Sequence, residues 1–150
     1  MAAAGATAAL AGLVFVAVSI NIERILAFRG LPERGLVTVL LLVSVLVVSL
    51  FGLMPGQSRH ELGIELLVES IVAPGVMVGL ILWKRPLPGQ ESHLGSSLGI
   101  VAVGTVPFVV GAIGVLAQSG GGLYWTFSGM IGAIIGAVIN AWILLVEILR

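Results

Sequence analysis

The chain of 150 residues has no cysteine and very little charge, and these two absences exclude many classes of protein. Without cysteine there is no disulfide, no thiolate metal site and no cysteine nucleophile. Only 9% of the residues are charged, whereas 59% are hydrophobic. Soluble domains carry about 25% charged residues. The composition therefore predicts an integral membrane protein whose main partner is the lipid bilayer.

The few charges are balanced, which limits the expected partners further. Seven basic residues match seven acidic ones, and all the acids are glutamate. The sequence contains no cluster of lysine or arginine typical of nucleic-acid binding, so nucleic acid is not an expected partner. It also contains neither a phosphate-binding loop motif nor a G-x-S-x-G motif. We therefore expect no enzyme activity and no cofactor.

What the chain has in abundance is apolar segments, and five of them are long enough to cross a membrane. A helix needs about 20 mainly apolar residues to span the hydrocarbon core of a bilayer. The predicted fold class is therefore all-α: a polytopic transmembrane helical bundle that forms one domain over residues 1–150. The predicted helices lie at about 2–28, 35–55, 62–83, 97–118 and 123–149.

The positions of the basic residues predict the orientation of these helices, because lysine and arginine accumulate on the cytoplasmic side. With five crossings the amino terminus is outside and the carboxyl terminus is cytoplasmic, and only Arg59 lies on the outer side. The predicted cytoplasmic residues are Arg24, Arg29, Arg34, Lys84, Arg85 and Arg150. In an alternative topology residues 60–73 lie flat at the membrane interface and four segments cross. The charge bias then largely disappears, which favours five crossings.

A column of three glutamates is the best functional clue in the sequence. Glu61, Glu65 and Glu69 lie four residues apart in "HELGIELLVES", residues 60–70. On a helix they form one stripe about 12 Å long, which descends from the surface toward the middle of the bilayer. An ionised acid near the centre of a membrane helix costs about 2.5 to 3.5 kcal/mol. Glu69 is therefore expected to face protein or water.

Two prolines interrupt the apolar helices near this depth. Pro74 cannot donate a hydrogen bond to the carbonyl of Ser70, and Gly75 allows the chain to bend there. Pro107 has the same effect on the carbonyl of Val103. Freed carbonyls beside an acid are typical of cation or proton sites in transporters and channels. The predicted ion pathway consists of the three glutamates and Ser70, with hinges at the two prolines and Gly75.

Two alternatives to an ion pathway stay open for the glutamate column. In the first, the glutamates form a structural polar seam, bound to Ser, Thr or Asn of neighbouring helices or to an arginine of another subunit. In the second, His60 binds a divalent cation together with Glu61 and Glu65 at the outer mouth. One histidine beside two carboxylates is weak evidence for a metal, so no metal site is assigned.

Small residues at four-residue spacing predict close helix packing. The last helix carries Ser128, Gly132, Gly136 and Asn140, and the first helix has a similar face that includes Gly12. Such ridges let helix backbones approach closely in lipid, where the hydrophobic effect does not drive helix association. Five small-faced helices make a thin bundle, so we expect a homo-oligomer with closed symmetry.

Polar residues at the predicted cytoplasmic boundary form a further group. Asn21 and Arg24 follow the apolar part of the first helix, and Glu147 lies near the end of the last. A pairing of Arg24 with Glu147 would form an inner gate, a docking surface or an ordinary interfacial ion pair. These interpretations stay open.

Two stretches resemble a known kind of protein. Residues 8–26, "AALAGLVFVAVSINIERIL", and residues 140–150, "NAWILLVEILR", resemble the two ends of a bacterial multi-pass family without an established activity. The resemblance implies an inner-membrane protein. The first helix also resembles, more weakly, the pore helix of store-operated calcium channels, although Ile20 and Asn21 offer no counterpart to an acidic filter residue. Two functions therefore stand as expectations: a cation or proton channel with an acidic outer vestibule, or a non-conducting accessory subunit that binds another membrane protein.

Overall fold

The computed structural model describes residues 1–27, 31–83, 91–118 and 120–149, and gives only the backbone of residues 91–94 and 147–149. Every regular element in these residues is an α-helix. The helices are α1 (Ala2–Ile20), α2 (Ile22–Ala27), α3 (Leu31–Phe51), α4 (Arg59–Trp83), α5 (Glu91–Leu116) and α6 (Gly122–Leu149). All of them except the short α2 contain a segment long and apolar enough to cross a membrane. The prediction of an all-α chain with five membrane-length helices is thus confirmed.

The first predicted helix, 2–28, is divided in the structure. The break lies at Asn21, which has φ −103° and ψ 16°. Its side-chain amide donates a hydrogen bond to the carbonyl oxygen of Ala17, 3.0 Å away. An asparagine that binds the backbone of its own helix competes with continued helix formation, which accounts for the break between α1 and α2.

Three other helices begin several residues earlier than the apolar segments alone predict, and one of them is α5, which begins at Glu91 instead of about residue 97. α3 begins at Leu31, since Pro32 suits the first turn of a helix, where its missing N–H is not needed. α4 begins at Arg59 and continues without interruption through Pro74 to Trp83, over 25 residues. No break therefore sets residues 60–73 apart from the rest of α4, as the five-crossing topology requires.

Four helices form the body of the molecule. α3 packs against α4, α4 against α5, α5 against α6 and α6 against α3, while α1 lies outside this ring and packs mainly on α3. The centre of the ring is filled by apolar side chains that are at most 2% exposed, namely Leu41, Val45, Leu66, Phe108 and Ala133. The interior of a single copy is therefore occupied by packed hydrocarbon.

The closest contact in the bundle joins α5 to α6. A Cβ atom at Gly104 would lie 3.1 Å from the Cα of Ala133, and one at Gly111 would lie 2.8 Å from the backbone nitrogen of Thr126. Both distances are shorter than ordinary contacts of a Cβ, so the helix backbones meet almost directly. Small residues allow this approach, and it supplies the packing that holds helices together in lipid.

The outward faces of the helices are apolar. Phe15 in α1, Val106 in α5 and Ile135 in α6 are each more than half exposed. Exposure of so large an apolar surface to water is unfavourable, but contact of this surface with lipid tails is favourable. The described helices thus have the exterior of a multi-pass membrane protein.

Candidate functional site: the glutamate face of α4

Glu61, the first glutamate of the column, closes the start of α4. Its carboxylate accepts a hydrogen bond from the backbone N–H of Ser58 at 2.8 Å, and the backbone N–H of Glu61 donates to the Ser58 hydroxyl oxygen at 3.2 Å. This reciprocal pair is a capping box, which satisfies backbone donors that the first turn leaves without a helical partner. Helix initiation is therefore sufficient to explain why a glutamate stands at position 61.

Glu65, one turn further, holds the connection between α3 and α4. The side-chain amide of Gln57 donates a hydrogen bond to the Glu65 carboxylate, and both side chains are half-buried. Gln57 lies just before the capping box, so its hydrogen bond to Glu65 holds the α3–α4 connection close to the second turn of α4. Glu65 thus has a polar partner within its own chain.

Glu69 differs from the other two glutamates. It is half-buried and lies near the middle of α4. Among the residues that the structure describes, none donates a hydrogen bond to its carboxylate or forms an ion pair with it. Its neighbour Ser70 is buried, and the Ser70 hydroxyl donates to the carbonyl oxygen of Leu67 at 2.8 Å. The deepest acid of the column is therefore the member without a polar partner among the described residues.

The glutamate column approaches the face that α4 turns toward the other helices only at its inner end. The most buried positions of α4 are Gly63, Leu66, Ser70 and Met77. Successive helical residues are rotated by about 100°, so Glu61 lies on nearly the opposite side of α4, and the stripe approaches this buried face only at Glu69, which lies on its flank. Glu69 consequently lies at the edge of the ring of helices, and apolar core residues occupy the centre.

The two proline interruptions have different surroundings. The carbonyl oxygen of Val103, which Pro107 leaves without its usual donor, lies against α6, because a Cβ atom at Gly132 would be only 2.8 Å from it. Pro74 is half-buried, and Gly75 has open space where its Cβ would be. The hinge predicted in α5 is thus covered by a neighbouring helix, whereas the one in α4 borders open space.

The predicted packing ridge of α6 is partly directed inward. A Cβ atom at Gly136 would lie 3.0 Å from the side chain of Ile100 in α5, so Gly136 and Gly132 both face α5. Ser128 is exposed. Gly12 of α1 is exposed as well, with nothing within 4 Å of a Cβ placed there. Within the described part of the ridge, Gly132 and Gly136 therefore face another helix of the chain, and Ser128 does not.

Asn140, the last member of the ridge, anchors a buried polar cluster between α6 and α3. Its side-chain amide donates to the hydroxyl oxygen of Thr38 at 2.7 Å and to the carbonyl oxygen of Arg34 at 2.9 Å. The Thr38 hydroxyl donates to the same carbonyl at 2.8 Å. Interhelical hydrogen bonds of this kind fix the relative position of two helices in lipid.

The predicted boundary group is only partly described. Arg24 is exposed on α2, and Asn21 binds its own helix. α2 is held by Ile25, which is 1% exposed and clusters with Leu31 and Leu144. The side chain of Glu147 lies outside the described residues, and so does the predicted pair with Arg24.

Sequence reasoning did not find the partners of these polar residues, although one signal was available. The pattern Ser-x-x-Glu at Ser58 to Glu61 is a recognisable capping box. No local pattern links Gln57 to Glu65 or Thr38 to Asn140, because those pairs depend on how the connection folds back and how α3 meets α6.

The described residues contain no group of three or more histidine or acidic side chains that could hold a metal ion. What the α4 face offers chemically is one acid, Glu69, without a donor. Comparison of the chain with protein-family models, with curated proteins and with solved structures finds no match. The resemblances to a bacterial multi-pass family and to calcium-channel pore helices therefore stay predictions.

Proposed function

We propose that the protein passes a cation or a proton across a bacterial inner membrane, as a homo-oligomer in which α4 lines a path between copies. The observation that carries this proposal is Glu69, a half-buried acid near the middle of a membrane-length helix with no donor among the described residues. Acids within membrane helices face protein or water and commonly belong to ion or proton paths.

The path has to lie between copies because one copy is filled. Leu41, Val45 and Phe108 are buried in the centre of the ring of helices and exclude water from it. Glu69 lies at the edge of this ring, where a second copy can contribute the opposite wall. Closed symmetry would then bring several copies of Glu69 around one axis.

The three glutamates have separate parts in this proposal. Glu61 and Glu65 are bound to Ser58 and Gln57, and they form a negatively charged entrance of fixed geometry. Glu69 binds the ion, and the carbonyl of Ser70, which Pro74 deprives of its helical donor, supplies a second oxygen. Open space at Gly75 leaves room for α4 to bend as the ion passes.

Ion flux into liposomes tests the proposal. Purified protein in sealed liposomes should carry cation or proton flux well above that of empty liposomes, and Glu69→Gln should reduce it about tenfold or more, since the substitution removes the charge that the ion requires. Glu61→Gln separates the entrance from the binding site: glutamine also completes a capping box, so loss of this entrance charge should lower the flux far less than Glu69→Gln does. Absence of flux at every voltage, pH and membrane tension tested would refute conduction.

A second candidate function is favoured by a different observation. Gly5 and Gly12 leave an open small-residue face on α1. Only 11% of the apolar segment of α1 is buried. A non-conducting accessory subunit would use this face to bind another membrane protein. This candidate predicts no flux, together with a stoichiometric partner that co-purifies from native membranes and is lost in Gly12→Leu. Recovery of the same partner with Gly12→Leu would exclude α1 as the binding face.

A further inference from the structure

An apolar pocket of about 270 Å³ lies at the end of the bundle where α3 ends and α4 and α6 begin. Its walls include Val48 and Ser49 of α3, Leu62 and Leu66 of α4, and Phe127 of α6. The start of α1 closes part of another side, and the pocket is open to the surroundings. The cavity belongs to none of the features that enter the proposed ion path.

The lining of the pocket favours hydrocarbon over water. Its two hydroxyl groups are already used within their own helices: Ser49 donates to the carbonyl oxygen of Val45 at 2.7 Å, and Thr126 donates to that of Gly122 at 3.1 Å. Water in a cavity needs two to four polar partners, and an apolar cavity stays dry or takes an apolar ligand. Because this surface lies among apolar helices of membrane length, the hydrocarbon available to it is a lipid tail.

A cation stands above the pocket on the same face of α4. Arg59, Leu62 and Leu66 are spaced i, i+3 and i+7, so they share one side of the helix, with Arg59 one turn nearer its amino-terminal end. Arg59 is exposed, and within the described part of the chain no carboxylate pairs with it. The nearest acid along the chain, Glu61, projects from a different side of α4 and is bound to Ser58.

An apolar cavity with a cation at the end of the helix is complementary to an amphipathic anion. We propose that this pocket binds a phospholipid with a net negative charge, with one acyl chain between α3, α4 and α6 and the phosphate on Arg59. The guanidinium group donates several hydrogen bonds to phosphate, and helix ends lie at the depth of lipid headgroups. The bound lipid would contact α3, α4 and α6 together, since all three line the pocket.

Lipid titration of the delipidated full-length protein in mild detergent, read out by native mass spectrometry, tests this proposal. Phosphatidylglycerol should bind about fivefold more tightly than phosphatidylcholine with the same chains, as one arginine near a headgroup implies. Arg59→Gln should abolish this difference in affinity. Arg24→Gln, which changes an exposed arginine on α2, is the matched control and should preserve it.

Substitutions that fill the pocket test separately whether an acyl chain occupies it. Gly52 lines the pocket, and a Cβ atom there makes only ordinary contacts, the nearest at 3.7 Å. Gly52→Leu should weaken binding of both phospholipids about tenfold or more, because the chain loses buried methylene groups. Gly99→Leu in α5, where a Cβ meets open space, is the control. Leu53→Trp fills the same pocket from another position and replaces Gly52→Leu if that variant does not fold.

Three outcomes would overturn the assignment. Affinity for phosphatidylglycerol that is the same in Gly52→Leu, Leu53→Trp and the native chain would place the lipid elsewhere. Equal affinity for the two phospholipids in the native chain would remove the role of Arg59. Oleate that binds more tightly than phosphatidylglycerol, with the same dependence on Arg59 and Gly52, would make the ligand a free fatty acid and not a phospholipid.

Discussion

The glycines of α1 and those at the contact of α5 with α6 look alike in the sequence but have opposite surroundings in the structure. A Cβ atom added at Gly5 or Gly12 of α1 has nothing within 4 Å. One added at Gly111 of α5 or Gly132 of α6 would lie within 2.8 Å of a backbone atom of the facing helix. Small residues thus make a tight helix contact in one region and leave an open face in the other.

The difference shows what small-residue spacing can and cannot indicate. It indicates that two backbones are able to approach, and in lipid such approach is a main source of helix association. It does not indicate whether a helix of the same chain makes the approach. α5 and α6 therefore form the firmly packed part of the molecule, while α1 adds a largely uncovered apolar helix that packs mainly on α3.

The largest effect is expected where glycine meets backbone. Gly111→Ala should destabilise the protein by about 2 kcal/mol, because the new Cβ would lie 2.8 Å from the backbone nitrogen of Thr126 and α6 would have to move. Thermal unfolding in mild detergent, followed by circular dichroism, measures the change. Gly99→Ala on the same helix meets open space and should leave the midpoint nearly unaltered. Equal midpoints for both variants would contradict the close packing of α5 on α6.

An intermediate effect is expected at the polar cluster between α6 and α3. Asn140→Ala removes hydrogen bonds to Thr38 and to the carbonyl of Arg34, and it should cost about 1 kcal/mol, in the range measured for interhelical hydrogen bonds in membranes. Thr38→Val completes a double-mutant cycle in the same unfolding assay. The pair should be coupled by about 0.5 kcal/mol or more. Simple additivity of the two substitutions would show that they do not interact.

The smallest effect is expected in α1. Gly12→Ala should change the free energy of unfolding by less than about 0.5 kcal/mol, because no described atom lies near the new methyl group. Unfolding of a detergent-solubilised single copy measures this stability, and cross-linking in liposomes measures association of copies. A loss of cross-linking in Gly12→Leu without a change in the stability of the single copy would show that a second copy covers α1. A marked loss of stability in the single copy would contradict the open face.

The glutamate column shows a similar limit of sequence reasoning. The four-residue spacing correctly indicates that Glu61, Glu65 and Glu69 share one side of a continuous helix. It does not distinguish between them, although one caps the helix and another holds Gln57. The capping box was readable from Ser58, whereas the lack of a donor at Glu69 depends on every helix that packs around α4.

The positions of the interruptions were likewise easier to predict than their surroundings. Pro74 and Pro107 both free a carbonyl, since this follows from the chemistry of proline alone. Whether that carbonyl is covered depends on the neighbouring helix. The close approach of Gly132 covers the carbonyl of Val103, and Gly75 beside Pro74 borders open space.

The sequence by itself determined that this chain is all-helical with five membrane-length helices, because the length of an apolar segment is a local property that sets the element. Only the tertiary structure decided which faces meet, as with Asn140 and Thr38, which are 102 residues apart. In a soluble helix the apolar stripe marks the buried side. In lipid both sides of a helix are apolar, so the pattern does not fix its rotation, and close packing and a few polar contacts select the partner.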